Sequence, residues 1–244
     1  MRYTQIILTL IAALLSPILW RGAGCEVIAQ EQKIQNRPYL DTRRLHYGFF
    51  VGLNMMDMEL RNNGYIDEAS GEQWYADVDN YQPGFSVGVL GELRLTKTLG
   101  LRLEPTIHFG QKHISFHEQR SGRDSTQNIK STYIYVPLRL KVAAPRCNNF
   151  RPYVVAAVAP AVDLTTRKHN AVLTEKLDCF IEIGTGCDIY MPFFKFIPEL
   201  RFSFGLRDII AHNRTDLIDE SLLKFTNSLD KGRSRMITLT FYFE

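Results

Sequence analysis

Residues 102–110 read Arg-Leu-Glu-Pro-Thr-Ile-His-Phe-Gly, and this stretch alternates strictly between two kinds of side chain. The odd-numbered positions are apolar, whereas the even-numbered ones carry a charge, a hydroxyl, an imidazole or no side chain. A helix repeats every 3.6 residues, so a period of two indicates a β-strand with one apolar and one polar face. The stretch therefore predicts a strand that faces lipid on one side and a polar interior on the other.

The same pattern recurs from residue 45 to residue 243. A strand that crosses a membrane needs about 9 to 11 residues, and a closed barrel leaves no backbone group unpaired in lipid. We therefore predict an all-β fold, a transmembrane up-and-down antiparallel β-barrel of eight strands with long extracellular loops. The predicted strands cover residues 45–56, 84–95, 99–110, 132–142, 152–163, 178–190, 194–206 and 235–243.

The connections between these strands alternate in length. Short turns belong on the periplasmic side of such barrels and long loops on the outside. An even number of strands then brings both ends of the barrel to the periplasm. The short connections span residues 96–98, 143–150 and 191–193, and the long ones span residues 58–83, 111–131, 164–177 and 207–234.

The start of the chain predicts the compartment. Positively charged Arg2 precedes an apolar run over residues 6–20, and Ala29 precedes polar Gln30. This pattern predicts a signal peptide over residues 1–29, cleaved after Ala29. Lipidation of Cys25 is the alternative, but the residues before it lack the leucine of a good lipobox. Residues 30–44 then form a polar periplasmic arm, and residues 45–244 form a barrel in the cell outer membrane.

Charge and cysteine content exclude other classes of protein. The formal net charge is +3, and no basic patch is interleaved with aromatic residues, so nucleic-acid binding is not expected. Cys147, Cys179 and Cys187 follow the predicted leader. The last two lie on one predicted strand, roughly 26 Å apart at 3.3 Å per residue, which is too far for a disulfide bond. We expect neither a disulfide framework nor a zinc site.

Alternation also predicts which charged side chains face the interior. Eight strands enclose just enough space for side chains, so we expect a filled lumen rather than an open one. Buried charges need partners, and acids and bases occur here in near balance. The predicted lumen charge network consists of Glu92, Arg94, Arg102, Glu104, Arg139, Lys141, Glu182, Asp188, Glu199 and Arg201.

The sequence contains no positive sign of catalysis. A Gly-x-Ser-x-Gly elbow, a phosphate loop and a dinucleotide fingerprint are all missing. Among the carboxylates and histidines, Glu104 and His108 would be the residues of a lipid-modifying enzyme, which is the weaker alternative. His113 and His117 are placed in the loop after His108, with no acid to complete a metal site. We expect no enzyme, no catalytic residue, no metal, no cofactor and no small-molecule substrate.

Loops and strand ends carry aromatic residues that suit contact surfaces. An amphipathic helix is predicted over residues 216–229 in the last loop. The candidate partner-contact residues are Tyr65, Trp74, Tyr75, Tyr81, Leu222 and Phe225. Aromatic rings near strand ends are expected at the membrane interface, namely Tyr133, Tyr135, Tyr153, Tyr190, Phe193, Phe194, Tyr242 and Phe243.

Residues 41–54, DTRRLHYGFFVGLN, resemble the first strand of the PorT family of bacterial outer-membrane β-barrels. Later segments resemble later strands of that family in the same order, namely residues 101–105, 135–141, 151–154, 184–188 and 198–203. The resemblance implies a component of the type IX secretion machinery, which exports folded cargo with a carboxyl-terminal signal domain, including proteases and adhesins linked to virulence. It brings no catalytic residues. Barrel proteins of this kind commonly end on an aromatic residue, whereas here Glu244 follows aromatic Phe243.

Two hypotheses for function remain. In the first, the barrel serves protein secretion, with outer-membrane lipid and other secretion-system proteins of the outer membrane or periplasm as partners. In the second, it is an adhesin or a structural barrel whose exposed loops bind outside the cell. A filled lumen cannot pass a folded protein, so the first hypothesis predicts an accessory role.

Overall fold

The computed structural model describes residues 36–66, 71–78, 82–119, 122–165, 175–210 and 228–244. The predicted signal peptide, residues 30–35 of the arm and residues 216–227 of the predicted helix lie outside these ranges. Within them, no helix has the length and apolar character needed to span a membrane.

Eleven strands are present in the described residues, and every pairing between them is antiparallel. Their bounds are β1 Leu45–Asn62, β2 Trp74–Asp77, β3 Pro83–Arg94, β4 Leu99–Leu103, β5 Thr106–Glu118, β6 Asp124–Tyr135, β7 Leu138–Ala143, β8 Phe150–Asp163, β9 Leu177–Tyr190, β10 Lys195–Gly205 and β11 Leu229–Phe243.

Two barrel strands are each interrupted at a proline. β4 and β5 both pair with β3 and are separated by Glu104 and Pro105. β6 and β7 both pair with β8 and are separated by Val136 and Pro137. Proline has no backbone N–H to donate to a ladder, so each break falls where pairing is locally lost.

The pairings form a closed ring. When β4 with β5 and β6 with β7 are each followed as one path, the described residues contain eight paths around the ring, and β2 is an addition at the rim. The β1–β11 ladder closes it, from Phe49 opposite Phe243 to Asn62 opposite Leu229. Closure leaves no open sheet edge in the membrane. The protein is an all-β closed barrel, as the alternation predicts.

Several strands extend further toward the long loops than the sequence predicts. β1 continues past residue 56 to Asn62, β5 continues past residue 110 to Glu118, and β11 begins at Leu229 rather than at residue 235. The outward side chains change from apolar to polar at these points, which ended the sequence pattern, but the ladder hydrogen bonds continue. The barrel wall therefore rises above the apolar band.

The two faces of the wall differ as expected for a barrel in lipid. Large apolar side chains such as Leu53, Val89 and Ile183 are more than half exposed on the outer face. On the inner face the five tyrosines predicted at the membrane interface are buried, so that prediction is wrong for them. They share strand parity with the other buried residues of the lumen. They are Tyr133, Tyr135, Tyr153, Tyr190 and Tyr242.

The other aromatic residues predicted at the membrane interface lie outside the lumen. Phe193 is 90% exposed, and Phe194 packs near Phe243 with ring centroids 6.1 Å apart. Phe243 also stacks on Phe49 at 5.4 Å across the closing ladder. Of the three cysteines, Cys147 is exposed in a short turn, while Cys179 and Cys187 are half-buried.

Candidate functional site

The candidate site is the barrel interior together with the segments that cover its two ends. Alternation along β3, β4, β7, β9 and β10 points charged side chains inward. Nine of the ten residues of the predicted lumen charge network are buried. The exception is Arg94, which is half-exposed at the end of β3. Lys195 was missed, although its parity on β10 matches that of Glu199.

Arg102 lies at the centre of the ion pairs. Its Nε is 2.6 Å from Glu92 Oε2, and its Nη1 is 3.0 Å from Glu199 Oε2. The guanidinium also lies over the ring of Tyr153, 4.8 Å from the centroid. One cation thus joins acids from β3 and β10, which are not neighbours in the ring.

A second arginine, Arg139, also forms ion pairs with acids from other wall segments. Arg139 Nε is 3.0 Å from Glu104 Oε2, and its Nη2 is 2.7 Å from Glu182 Oε2. Arg201 adds a contact of 3.3 Å from Nη1 to the same oxygen of Glu104. Because each base contacts an acid, the charges in this layer compensate one another in a region with little water.

Tyrosine hydroxyls complete this layer. Tyr242 donates to Glu104 Oε2 at 2.8 Å, and Tyr153 donates to Glu199 Oε2 at 2.5 Å. Glu104 and Glu199 therefore accept both charged and neutral donors. The side chains of this layer are buried and are joined by ion pairs and hydrogen bonds, so they fill the lumen.

His108 belongs to a hydrogen-bonded chain that lies nearer the long loops. Asn54 Nδ2 donates to Ser86 Oγ at 2.7 Å, and that hydroxyl lies 2.7 Å from Nδ1 of His108. The His108 ring meets the edge of Tyr135 at 4.7 Å. The three histidines are not brought together, because the other two lie on the outer side of β5 rather than in a loop. His113 contacts Asn128, and His117 contacts Asp124.

At the end of the lumen away from the long loops, Glu244 is part of an ion-pair cluster. Glu244 Oε2 is 2.9 Å from Lys195 Nζ, and its other oxygen contacts His46. Burial opposes ionisation, but the hydrogen bond to His46 and the charge of Lys195 outweigh it and lower the pKa of Glu244 below its ordinary value. Glu244 therefore ties β11 to β1 and β10 where the barrel closes.

Residues 36–42 fold back over this end, and we call them the N-terminal latch. Asp41 accepts a hydrogen bond from Tyr190 Oη at 2.6 Å and from Arg146 Nη1 at 3.0 Å. Asn36 Nδ2 donates to the backbone carbonyl of Tyr190 at 2.9 Å, and Leu40 is buried. The arm was expected to be only a polar segment leading into the first strand, but its described end is docked onto the barrel.

The opposite end is covered by an apolar cluster, which we call the outer plug. β2, from the first long loop, pairs with β5 so that Trp74 lies opposite Glu118. Asn62 fixes β2 to β1, because its side chain donates to the carbonyl of Ala76 at 3.0 Å and accepts from the N–H of the same residue at 2.9 Å. The outer plug consists of Met58, Trp74, Ala76, Ile114, Phe116, Ile129, Ile209, Ile210 and Leu229.

The candidate partner-contact residues differ in how far they are exposed. Trp74 is only 5% exposed, so little of the surface of this candidate partner-contact residue is accessible. Tyr75 points the other way and is 37% exposed, while Tyr65 is half-buried. Alternation within the short stretch Trp-Tyr-Ala-Asp could have indicated that Trp74 and Tyr75 face opposite sides. Tyr81, Leu222 and Phe225 lie outside the described residues.

Comparison with protein-family models identifies the architecture. A family model described as outer membrane protein beta-barrel domain matches residues 28–211. No curated protein sequence matches the chain. Three solved structures that match are Neisserial surface protein A (8% identity, TM-score 0.41, covering 82% of this chain and 98% of that one), AlkL in lipid bilayers (12%, 0.40, 86% and 96%) and Ail of Yersinia pestis with a heparin analogue (12%, 0.36, 82% and 99%).

Proposed function

The chain belongs to the family of outer membrane protein beta-barrel domains, and from that premise we propose that it is a non-enzymatic, accessory component of the type IX secretion machinery. In this role it is of the PorT type and is required for export of cargo that carries a carboxyl-terminal signal domain. Its partners are outer-membrane lipid and other secretion proteins of the outer membrane or periplasm.

The observation that carries the accessory role is the obstruction of the lumen. The Arg102 and Arg139 ion pairs fill its middle, the N-terminal latch covers the periplasmic end, and the outer plug covers the other. A folded cargo protein cannot pass through such a barrel. A secretion component of this shape acts through its surfaces, as a scaffold, an assembly factor or a partner of a larger pore. The secretion role itself is supported by the resemblance of residues 41–54 and the later segments to the PorT family.

Deletion of the gene tests the proposal. Proteins that bear the carboxyl-terminal signal are measured on the cell surface, in the medium and in the periplasm of the deletion strain. We expect many of them to accumulate in the periplasm and to be exported again after complementation with the full chain. The level of an unrelated outer-membrane barrel is the control for general envelope damage. Normal export in the deletion strain would refute the secretion role.

An adhesin or structural barrel is the second candidate, favoured by two exposed residues of the first long loop. Ile66 is 57% exposed and Tyr75 is 37% exposed. Deleting the whole loop would also remove Trp74 and open the outer plug, so point variants are the sharper test. For an adhesin, Ile66→Ser with Tyr75→Ser should abolish surface binding and leave export intact. For a secretion component, the same variant should leave cell-surface binding unchanged.

The proposal includes the absence of catalysis. The carboxylate of Glu104 accepts a hydrogen bond from Tyr242 and contacts Arg139 and Arg201, so it is engaged rather than poised over a substrate. We expect His108→Ala to leave export unchanged as long as the barrel folds. Loss of a lipid modification in that variant, with normal heat-dependent gel mobility, would favour the enzyme instead.

A further inference from the structure

The outer face of the β1–β11 ladder changes character toward the extracellular end. Met55 and Ile237 are paired across this ladder, and both are exposed apolar residues of the outer wall. Beyond them every outward pair is charged. The pairs are Asp57 with Arg235, Glu59 with Arg233, and Arg61 with Lys231.

Four of these residues are bases, Arg61, Lys231, Arg233 and Arg235, and we call them the outer basic patch. Arg235 forms an ion pair with Glu59. Asp57 uses one carboxylate oxygen to accept the backbone N–H of Met58 at 2.7 Å. The other three bases are exposed and form no ion pair with any residue in the described ranges. They are therefore available to an anion that approaches from outside the protein.

The patch stands on an ordered part of the wall. The ladder between β1 and β11 continues past these residues, with one register shift after Arg61, to Asn62 opposite Leu229. Between Lys231 and Arg233, the backbone of Gly232 packs so closely on Ile210 that an added Cβ would lie 2.8 Å from its side chain. The bases are thus presented by a strand held by the outer plug, which lowers the entropy lost when a ligand is bound.

We propose that the outer basic patch binds the phosphorylated headgroup of an outer-leaflet glycolipid. Two residues of a strand span about 7 Å, so Arg235 lies about 7 Å beyond the last apolar residue, Ile237. A lipid whose acyl chains lie against Met55 and Ile237 presents its headgroup phosphates at that height. Guanidinium groups bind phosphate with two parallel hydrogen bonds. The inference depends on the outer-membrane location alone, so it can stand or fall separately from the secretion role.

The test compares two triple variants of the full chain, folded in zwitterionic detergent micelles. The patch variant carries Arg61→Gln, Lys231→Gln and Arg233→Gln. The matched control carries Arg43→Gln, Arg44→Gln and Arg94→Gln, which removes the same charge at the periplasmic end. Fluorescently labelled diphosphoryl lipid A is titrated into each. Each base near an anionic surface contributes about fivefold in affinity, so the patch variant should bind about 100-fold more weakly. The control should bind as the unaltered protein does.

Three further measurements make the result decisive. Dephosphorylated lipid A should lose the same affinity with the unaltered protein, and inorganic phosphate alone should fail to displace the labelled lipid. The single variant Arg233→Gln, with heat-dependent gel mobility as a check on folding, should lose about fivefold. Equal binding of dephosphorylated lipid, equal loss in the control, or full displacement by inorganic phosphate would overturn the proposal.

Discussion

At Arg102, one guanidinium links Glu92 and Glu199 inside the lumen, where both acids are almost fully buried. Removing it would leave two buried carboxylates without their main cation. We expect Arg102→Met to destabilise the barrel by about 3 to 5 kcal/mol, because an unpaired buried charge is unfavourable. Urea-induced unfolding of the reconstituted protein, followed by gel mobility, measures this.

Arg94→Met is the matched control for that measurement. Arg94 shares the predicted inward parity but is half-exposed, so its replacement should change the free energy of unfolding by no more than about 0.5 kcal/mol. Equal destabilisation by both substitutions would show that the ion pairs of Arg102 contribute nothing specific.

Glu244, where β1 and β11 close the ring, predicts that the stability of the barrel depends on pH. Its pKa in the folded protein lies below the ordinary 4.5. The ionised carboxylate therefore stabilises the barrel above that value, and this contribution is lost as the pH falls through the lowered pKa. We expect Glu244→Gln to lower the melting temperature at neutral pH, and the gap to the unaltered protein to close in acid. A gap that is the same at every pH would contradict the role given to the carboxylate.

At the scale of elements, each end of the lumen is covered by a segment that does not belong to the barrel ring. The N-terminal latch contributes Asp41, and the first long loop contributes β2 with Trp74. Neither covers its end by itself. Asp41 needs Arg146 of a short turn, and Trp74 needs Ile209 and Ile210 of the last long loop. Each cap therefore joins parts of the chain that are distant in sequence.

The docking of β2 can be followed through tryptophan fluorescence. The chain has two tryptophans, and Trp20 lies in the predicted leader, so Trp74 is the reporter in the processed protein. Asn62→Ala removes both bonds to Ala76 and should detach β2 from β1, which loosens its packing while the ladder to β5 remains. We expect the emission to shift to longer wavelength. Asn128→Ala, at an exposed site on β6, should leave the emission unchanged, and a shift of the same size there would refute the assignment.

At the scale of the whole molecule, the filled lumen makes a prediction about transport of ions. The charged layer around Arg102 and Arg139 is almost inaccessible to water, and each end of the lumen is covered. We expect the protein in planar lipid bilayers to show no steady conductance, unlike an open porin. Its mobility in detergent gels should nevertheless slow on heating, as expected for a closed barrel. Stable open-channel currents would contradict the obstructed lumen.

Alternation and connection lengths were sufficient to predict the barrel, the polarity of its two faces and most of the buried charges. They are local properties, because each strand residue faces lipid or lumen according to its parity alone. Parity also contained the inward direction of Tyr153 and Tyr242, which the expectation of an interfacial belt overrode. The extra length of β1 and β11 was hidden, because their outward residues become polar above the lipid while pairing continues.

Only the tertiary structure decided which charges meet and what covers the two ends. Arg102 lies directly opposite Glu92 on the neighbouring strand β3, but it meets Glu199 of β10 only because the sheet closes into a ring. The latch contact between Asp41 and Arg146 joins residues 105 positions apart. No local period records such a distance in sequence. The sequence by itself thus determined a membrane barrel with a polar interior, and closure of the ring determined that this interior is an obstructed network of ion pairs.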